Sequence, residues 1–305
     1  MTPRAWIAFA AVSTLWGIPY LFIKIAVDDG VPPAFLAWVR VVLGGAVLLA
    51  LASSAGVLAP LRGHWRWLAI FAVIEIVIPF PLIAAGEQHV DSSLAAIIVA
   101  AAPLFVALLA LVGFDDTERV GGSLLGGLLL GLVGVVALVG IDATGSTDEL
   151  VGAAALLLSA FCYAVGPMIL KRKLAELDPR ASMGAALAIA ALVLTPAAAI
   201  APPATTPSAD ALVSLVVLGI FCTAAAFAFY GALVAEAGAG RALVITYIAP
   251  VVAVALGVAV LGERPGAGAA VGLALILAGS WLATGGRMPP RVGRRPRTPM
   301  PPAPG

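Results

Sequence analysis

Long apolar runs, each closed by a short cluster of charged, glycine or proline residues, make up almost the whole chain. A bilayer core of about 30 Å takes roughly 20 residues of α-helix to cross. On that measure the pattern predicts ten membrane spans, at residues 5–27, 33–53, 67–86, 92–113, 120–141, 150–170, 182–200, 211–235, 239–261 and 267–285. The connections are too short to hold a soluble domain. Arg4 followed by an apolar run has the outline of a signal peptide, but the run exceeds the ~7–15 apolar residues of such a segment. It reads as a retained first helix. Residues 286–305 break the pattern, being rich in proline and arginine with little apolar content. They predict a disordered cytoplasmic tail that anchors topology, with contact to anionic lipid as the alternative.

Composition agrees with the pattern: 62% of the 305 residues are hydrophobic and 11% are charged, against about 25% charged in soluble domains. The 17 basic and 16 acidic side chains nearly cancel, so no basic surface points to a nucleic-acid partner. Where the charges fall is more informative. With a cytoplasmic N-terminus, fourteen of the basic residues lie in inside segments, from Arg4 through the Lys171-Arg172-Lys173 run to Arg297. Arg264 alone lies outside, while Lys24 and Arg40 sit within helices. The outside segments collect Asp28, Asp29, Glu87, Asp91, Asp142, Asp148, Glu149, Asp210 and Glu263. The positive-inside bias therefore sets both termini in the cytoplasm.

Five spans per half also agree with an internal duplication. At an offset of 147 residues Trp16 meets Tyr163, Lys24 meets Lys171 and Pro103 meets Pro250. An odd number of spans per copy inverts the second relative to the first. That is the layout by which secondary transporters make inward-open and outward-open states near mirror images. The expected architecture is an all-α integral membrane protein of ten transmembrane helices, built as two inverted five-helix repeats at 5–141 and 150–285, N-in and C-in.

Several local patterns fall in order along this frame: Leu15-Trp16-Gly17 with Lys24, Pro33 with Arg40, Pro103-Leu104-Phe105, and Pro250 leading to Gly262-Glu263-Arg264. Together they resemble the drug/metabolite transporter superfamily, specifically the ten-helix EamA-like permeases, over residues 5–285. The resemblance implies a multi-pass plasma (inner) membrane transporter of small molecules, and family members are often exporters. One departure stands out. The step of thirteen residues from Pro250 to Glu263, repeated from Pro103, reaches Asp116, with Glu118-Arg119 two places later.

Glu75 lies inside an unbroken apolar stretch, about 12 Å along its helix from the cytoplasmic end at 1.5 Å per residue. A carboxylate at that depth costs at least ~2.5 kcal/mol on insertion scales and needs a partner, water or a proton. It reads either as a proton-coupling or substrate-binding acid or as the ion-pair partner of Arg40, one helix away. Arg40 has a second reading, a bidentate hold on a substrate carboxylate. Lys24, near a helix end, either snorkels to the interface or serves the site. Trp16, Tyr20, Tyr163, Tyr230, Thr246 and Tyr247 are candidates to line a pocket for an amphipathic or aromatic solute. Pro103 and Pro250 are the candidate helix breaks, because the repeat places them at equivalent positions.

The remaining chemistry is mostly negative. Cys162 and Cys222 lie in apolar runs and read as small core residues. His64 and His89 fall between spans, which argues against haem or a histidine metal centre in the membrane, and no cofactor is expected. The chain has no His-Glu-x-x-His, Gly-x-Ser-x-Gly or Walker motif. An intramembrane enzyme and a passive channel or sensor remain as alternative readings. The glycine steps at Gly122–Gly126, Gly127–Gly131 and Gly268–Gly272 predict close helix packing, within the monomer or in a homodimer. The expected partners are a small-molecule substrate, the lipid bilayer and, for coupling, protons.

Overall fold

The computed structural model describes residues 2–111, 122–142, 146–237 and 245–283. Among the described residues the protein is helical throughout, with no strand. The helices are α1 (Pro3–Gly17), α2 (Pro19–Asp28), α3 (Pro33–Ser54), α4 (Trp65–Ala72), α5 (Pro79–Glu87), α6 (Ser92–Val99) and α7 (Ala102–Leu111). After these come α8 (Gly122–Asp142), α9 (Thr147–Lys173), α10 (Pro179–Ile200), α11 (Ala209–Val216), α12 (Ala226–Ala237), α13 (Ile245–Leu261) and α14 (Ala267–Ala283). A 3₁₀ turn, Ala59–His64, leads into α4. Two π-helical segments join neighbours end to end: Val73–Val77 between α4 and α5, and Val217–Ala225 between α11 and α12.

Local chemistry sets these boundaries. Prolines open α1, α3 and α10, where the missing N–H would have had no helical partner, and they also open α2 and α5, which run on from the helical turns before them. Thr2, Ser146, Asp178 and Ser208 cap helix starts by accepting a main-chain N–H. Seven stretches are long and apolar enough to cross a membrane: Pro3–Asp28, Pro33–Ser54, Ala59–Glu87, Ser92–Leu111, Thr147–Lys173, Pro179–Ile200 and Ala209–Val234. Ser123–Leu138, Ile245–Leu261 and Ala267–Leu282 are shorter apolar helices. The third stretch differs most from expectation. It starts at Ala59 because the 3₁₀ turn runs straight into α4, and it carries Glu87 inside its far end.

The stretches pair in a pattern that survives exchange of the two halves. Helices α3 and α10 pack on each other, as do α8 and α14, and α6 and α13. The contacts of α9 with α4, α5 and the first π segment are matched by those of α1 and α2 with α11, α12 and the second. At the 147-residue offset Val73–Val77 maps into Val217–Ala225, so the π geometry itself recurs. The α8–α14 seam rests on small residues: a Cβ added to Gly279 would stand 2.5 Å from the Gly131 nitrogen and 2.6 Å from the Gly127 carbonyl oxygen. Within the chain, then, these glycines serve close packing.

Candidate functional site

Helix α3 crosses the second π segment in close contact. Gly44 and Gly219 let the two approach, and a Cβ on Gly219 would lie 2.6 Å from the Leu43 Cβ. This brings Thr223 to Arg40. Arg40 is buried; its Nε donates to Thr223 Oγ1 at 2.9 Å, and its guanidinium lies 4.1 Å above the centre of the Phe80 ring. Thr223 Oγ1 in turn donates to the Leu218 carbonyl at 2.8 Å. Among the described residues this cation over an aromatic face has a single hydroxyl acceptor, and its charge is incompletely answered.

The expected Arg40–Glu75 ion pair is not made. Glu75 stands in the first π segment and packs toward α9, where a side chain on Gly166 would occupy the place of its Oε2. That oxygen is buried and has no hydrogen-bond partner among the described residues. Its electrostatic neighbours are Cys162, Tyr163 and Tyr230. The π segment explains the miss, because the extra residue in the turn rotates Glu75 away from the helical position that sequence spacing assigns.

Aromatic residues surround this crossing in matched pairs. Trp16 meets Phe227 edge-on at 5.8 Å and Tyr230 at 4.9 Å. Tyr163 and Phe80, their equivalents at the 147-residue offset, pack into one core cluster. Gly17 presses on α13 beside Ala249, where a Cβ would stand 2.6 Å from the Val252 Cβ. Tyr20, partly buried, faces both Arg40 and Glu87, and Thr246 and Tyr247 are partly buried in the first turn of α13. The two candidate breaks differ. Pro103 follows a true interruption at Ala100–Ala101, whereas α13 runs through Pro250 unbroken.

A second cluster lies at the end of α5. Lys24 Nζ donates to the Glu87 carbonyl oxygen at 3.0 Å and pairs with Asp28 at 3.0 Å. It does not reach free to the interface. Glu87, expected in an outside loop, is fully buried at 0% exposure, and neither carboxylate oxygen has a hydrogen-bond partner among the described residues. Sequence reasoning missed it. The available signal was the preceding Ala84-Ala85-Gly86, small enough for α9 to close over this end; Gly86 abuts Leu156 and Gly152. Glu263 sits nearby and accepts from the Ser92 nitrogen at 2.8 Å, the Ser93 nitrogen at 3.0 Å and the Ser93 hydroxyl. It thus caps α6 from the far half of the chain. Burial pushes the Glu263 carboxyl up, but the Ser93 and Ser92 hydrogen bonds outweigh it and hold it below the ordinary value. Asp91 beside it is pushed up, first by burial and then by the Glu263 charge. Asp116, Glu118 and the 286–305 tail lie outside the described residues.

Two cavities open elsewhere. One of about 390 Å³ lies between α3 and α10, lined by Trp38, Gly45, Leu49, Ala188 and Thr195. The other, about 540 Å³, is bounded by His64, Trp67, Lys171, Arg172 and Glu176. Neither is lined by Arg40, Glu75 or Trp16. Cys162 and Cys222 are buried and free, and no group of three or more potential ligands is placed to hold a metal ion among the described residues.

Comparison with known proteins fits this architecture. The inner membrane transporter YedA of Escherichia coli, itself uncharacterized, is 29% identical over 84% of this chain and 82% of its own length. A "Probable amino-acid metabolite efflux pump" of Salmonella typhimurium is 25% identical over 89% of this chain and 91% of its own. A "Probable terminal-alkyne amino-acid exporter" of Streptantibioticus cattleyicolor is 28% identical over 92% and 93%. A crystal structure at 23% identity superposes with a TM-score of 0.67 over 93% of this chain and 97% of that one, which supports the fold. The sequence profile of the EamA-like transporter family matches twice, at residues 4–140 and 150–285. The chain is a multi-pass membrane protein and belongs to the EamA-like transporter family.

Proposed function

We propose that this protein is a secondary exporter of small amino-acid-like or amphipathic metabolites in the plasma membrane, working by alternating access. In this reading all ten apolar stretches cross the bilayer, the termini are cytoplasmic, and residues 5–141 and 150–285 are inverted repeats. The observation that carries it is the pair of π segments at matched positions around Arg40. Broken rods in both halves, packed in an exchange-symmetric pattern, are what rocking about a central site requires. Two of the relatives named above are described as amino-acid exporters or efflux pumps, which favours substrates with a carboxylate.

Arg40 is the anion-binding group. Its single hydroxyl acceptor among the described residues leaves donors for a carboxylate, and Phe80 holds the planar guanidinium in place for a two-point contact. Trp16, Tyr20, Tyr163, Tyr230 and Tyr247 supply the aromatic wall, with Thr246 as a hydroxyl beside it. Glu75 is the coupling acid: an unpartnered carboxyl oxygen on a π segment is placed to bind and lose a proton as the bundle rocks. Thermal-shift screening of the detergent-solubilised protein against amino acids, nucleosides and amphipathic drugs identifies the ligand, and proteoliposomes then measure its flux. Glu75→Gln is expected to abolish gradient-driven accumulation and keep substrate exchange. Full gradient-driven transport by Glu75→Gln refutes the coupling role, and absence of any flux with every stabilising ligand refutes the transporter reading.

A further inference from the structure

We propose that Glu87 is a proton-binding site, placed at the end of the rod that carries Glu75 near its middle. Its side chain is fully buried, and both carboxyl oxygens lack a hydrogen-bond partner. Glu263, at the same end of the molecule, shows what an ionised carboxylate looks like here: it is half-buried and takes three donors from Ser92 and Ser93. Glu87 receives none. The nearest cation, Lys24, spends its ammonium on the Glu87 main-chain oxygen and on Asp28. A buried carboxyl group without donors is accommodated as the neutral acid.

The surroundings show how the proton leaves. The charged and titratable groups that face Glu87 are Tyr20, Lys24 and Asp28 on α2, Arg40 on α3, and Glu263 beyond α13. From α9 the adjoining Gly86 meets only Gly152 and Leu156. Asp28 is exposed, so the Lys24–Asp28 pair lies between Glu87 and water. When that pair opens, the O–H bond of Glu87 breaks, the electron pair stays on the carboxylate, and the proton passes to water. Lys24 then turns from Asp28 to the new carboxylate as its counter-ion. Twelve residues separate Glu75 from Glu87, about 18 Å along a helix, with Phe80 and its bound Arg40 cation between them. The rod therefore carries one acid near its middle and one at its end, with the Arg40 cation of α3 packed between them. Use of these protons for export rests on the transporter reading, but the site itself does not.

Infrared difference spectroscopy of the full chain in lipid nanodiscs at neutral pH reads carboxylic-acid carbonyl bands directly. Glu87→Gln is expected to remove one such band, distinct from the one removed by Glu75→Gln. An unchanged acid band in Glu87→Gln overturns the proposal. Dicyclohexylcarbodiimide, which modifies protonated carboxyls in apolar sites, provides a second readout on the wild-type chain. Mass spectrometry should find the adduct on Glu87, and Lys24→Met, lacking the counter-ion, should retain several-fold more adduct at alkaline pH. No adduct on Glu87, or equal adduct in both proteins across pH, also overturns it. Neither readout needs a substrate. Failed transport with intact carboxyl signals refutes the exporter and leaves the site, while lost signals with intact transport refute the site alone.

Discussion

Glu263 reaches across the molecule to cap α6, and removing it should be measurable as stability. Glu263→Ala leaves the Ser92 and Ser93 nitrogens without their acceptor at the start of a helix whose own Asp91 makes no side-chain cap. A lost N-cap costs about 0.5–2 kcal/mol, and the loss of an anion at a helix N-terminus about 0.3–1 kcal/mol more. The site is half-exposed, so water recovers part of the hydrogen bonding; a net loss of about 2 kcal/mol is expected. For a chain of 305 residues, at about 2.1 cal/mol/K of unfolding entropy per residue, that lowers the melting temperature by roughly 3 °C. The free buried thiols Cys162 and Cys222 provide the assay, since a thiol-reactive dye reports their exposure as the protein melts. Glu263→Gln keeps one acceptor oxygen and should lose about half as much.

The pH dependence has a definite sign. Glu263 sits below its ordinary value, so its contribution is complete above the ordinary carboxylate range and disappears as pH falls through its folded value. The gap between wild type and Glu263→Gln should therefore close in acid. A Glu263→Ala protein that melts within about 1 °C of wild type, or a gap that widens in acid, refutes the reasoning.

Asp91 carries the opposite sign: burial and the Glu263 charge raise it, so it costs stability at neutral pH, and Asp91→Asn should raise the melting temperature there. Gly166→Val places a side chain where the Glu75 carboxylate lies, and should abolish gradient-driven transport in proteoliposomes as Glu75→Gln does. Gly279→Leu drives a side chain into the Gly131 and Gly127 backbone and should cost ~3 kcal/mol or more, read as early dye reaction in the same melt. For orientation, a cysteine at Ser146 should react with an impermeant maleimide from outside cells and one at Ala175 should not. The reverse pattern refutes cytoplasmic termini.

The apolar runs were legible because a lipid-solvated helix needs continuous hydrophobicity, and that is a one-dimensional property. Trp16, Tyr163, Phe80 and Phe227 fall in register at one offset for the same reason: a duplication leaves its spacing in the chain. The partner of Arg40 was not legible. Which hydroxyl or carboxylate it meets depends on the α3 crossing, set by Gly44 and Gly219, and on a π turn that shifts the facing of Thr223 and Glu75. Helical spacing cannot announce a π turn, since one inserted residue leaves the hydrophobic pattern of a fully apolar run unchanged. Glu87 was hidden differently. At the edge of a run a charged residue reads as loop, and only the closure of α9 over Gly86 shows it to be interior.

The recurrence of the π segments puts Glu75 and Cys222 at corresponding places in the two halves, and Arg40 opposite Leu187. A device with identical halves would rest equally in its two end states. In the proposed alternating-access cycle the charge of this matched pair sits on one side only, which tilts the resting occupancy. A tenfold tilt needs only about 1.4 kcal/mol, less than the insertion cost of one intramembrane carboxylate. The tilt also changes with the protonation of that single acid, whereas a thiol in an apolar setting stays neutral and contributes a constant. In that proposed cycle, duplication provides the hinge, and divergence at one matched pair makes the rest position an adjustable quantity that acidity can set.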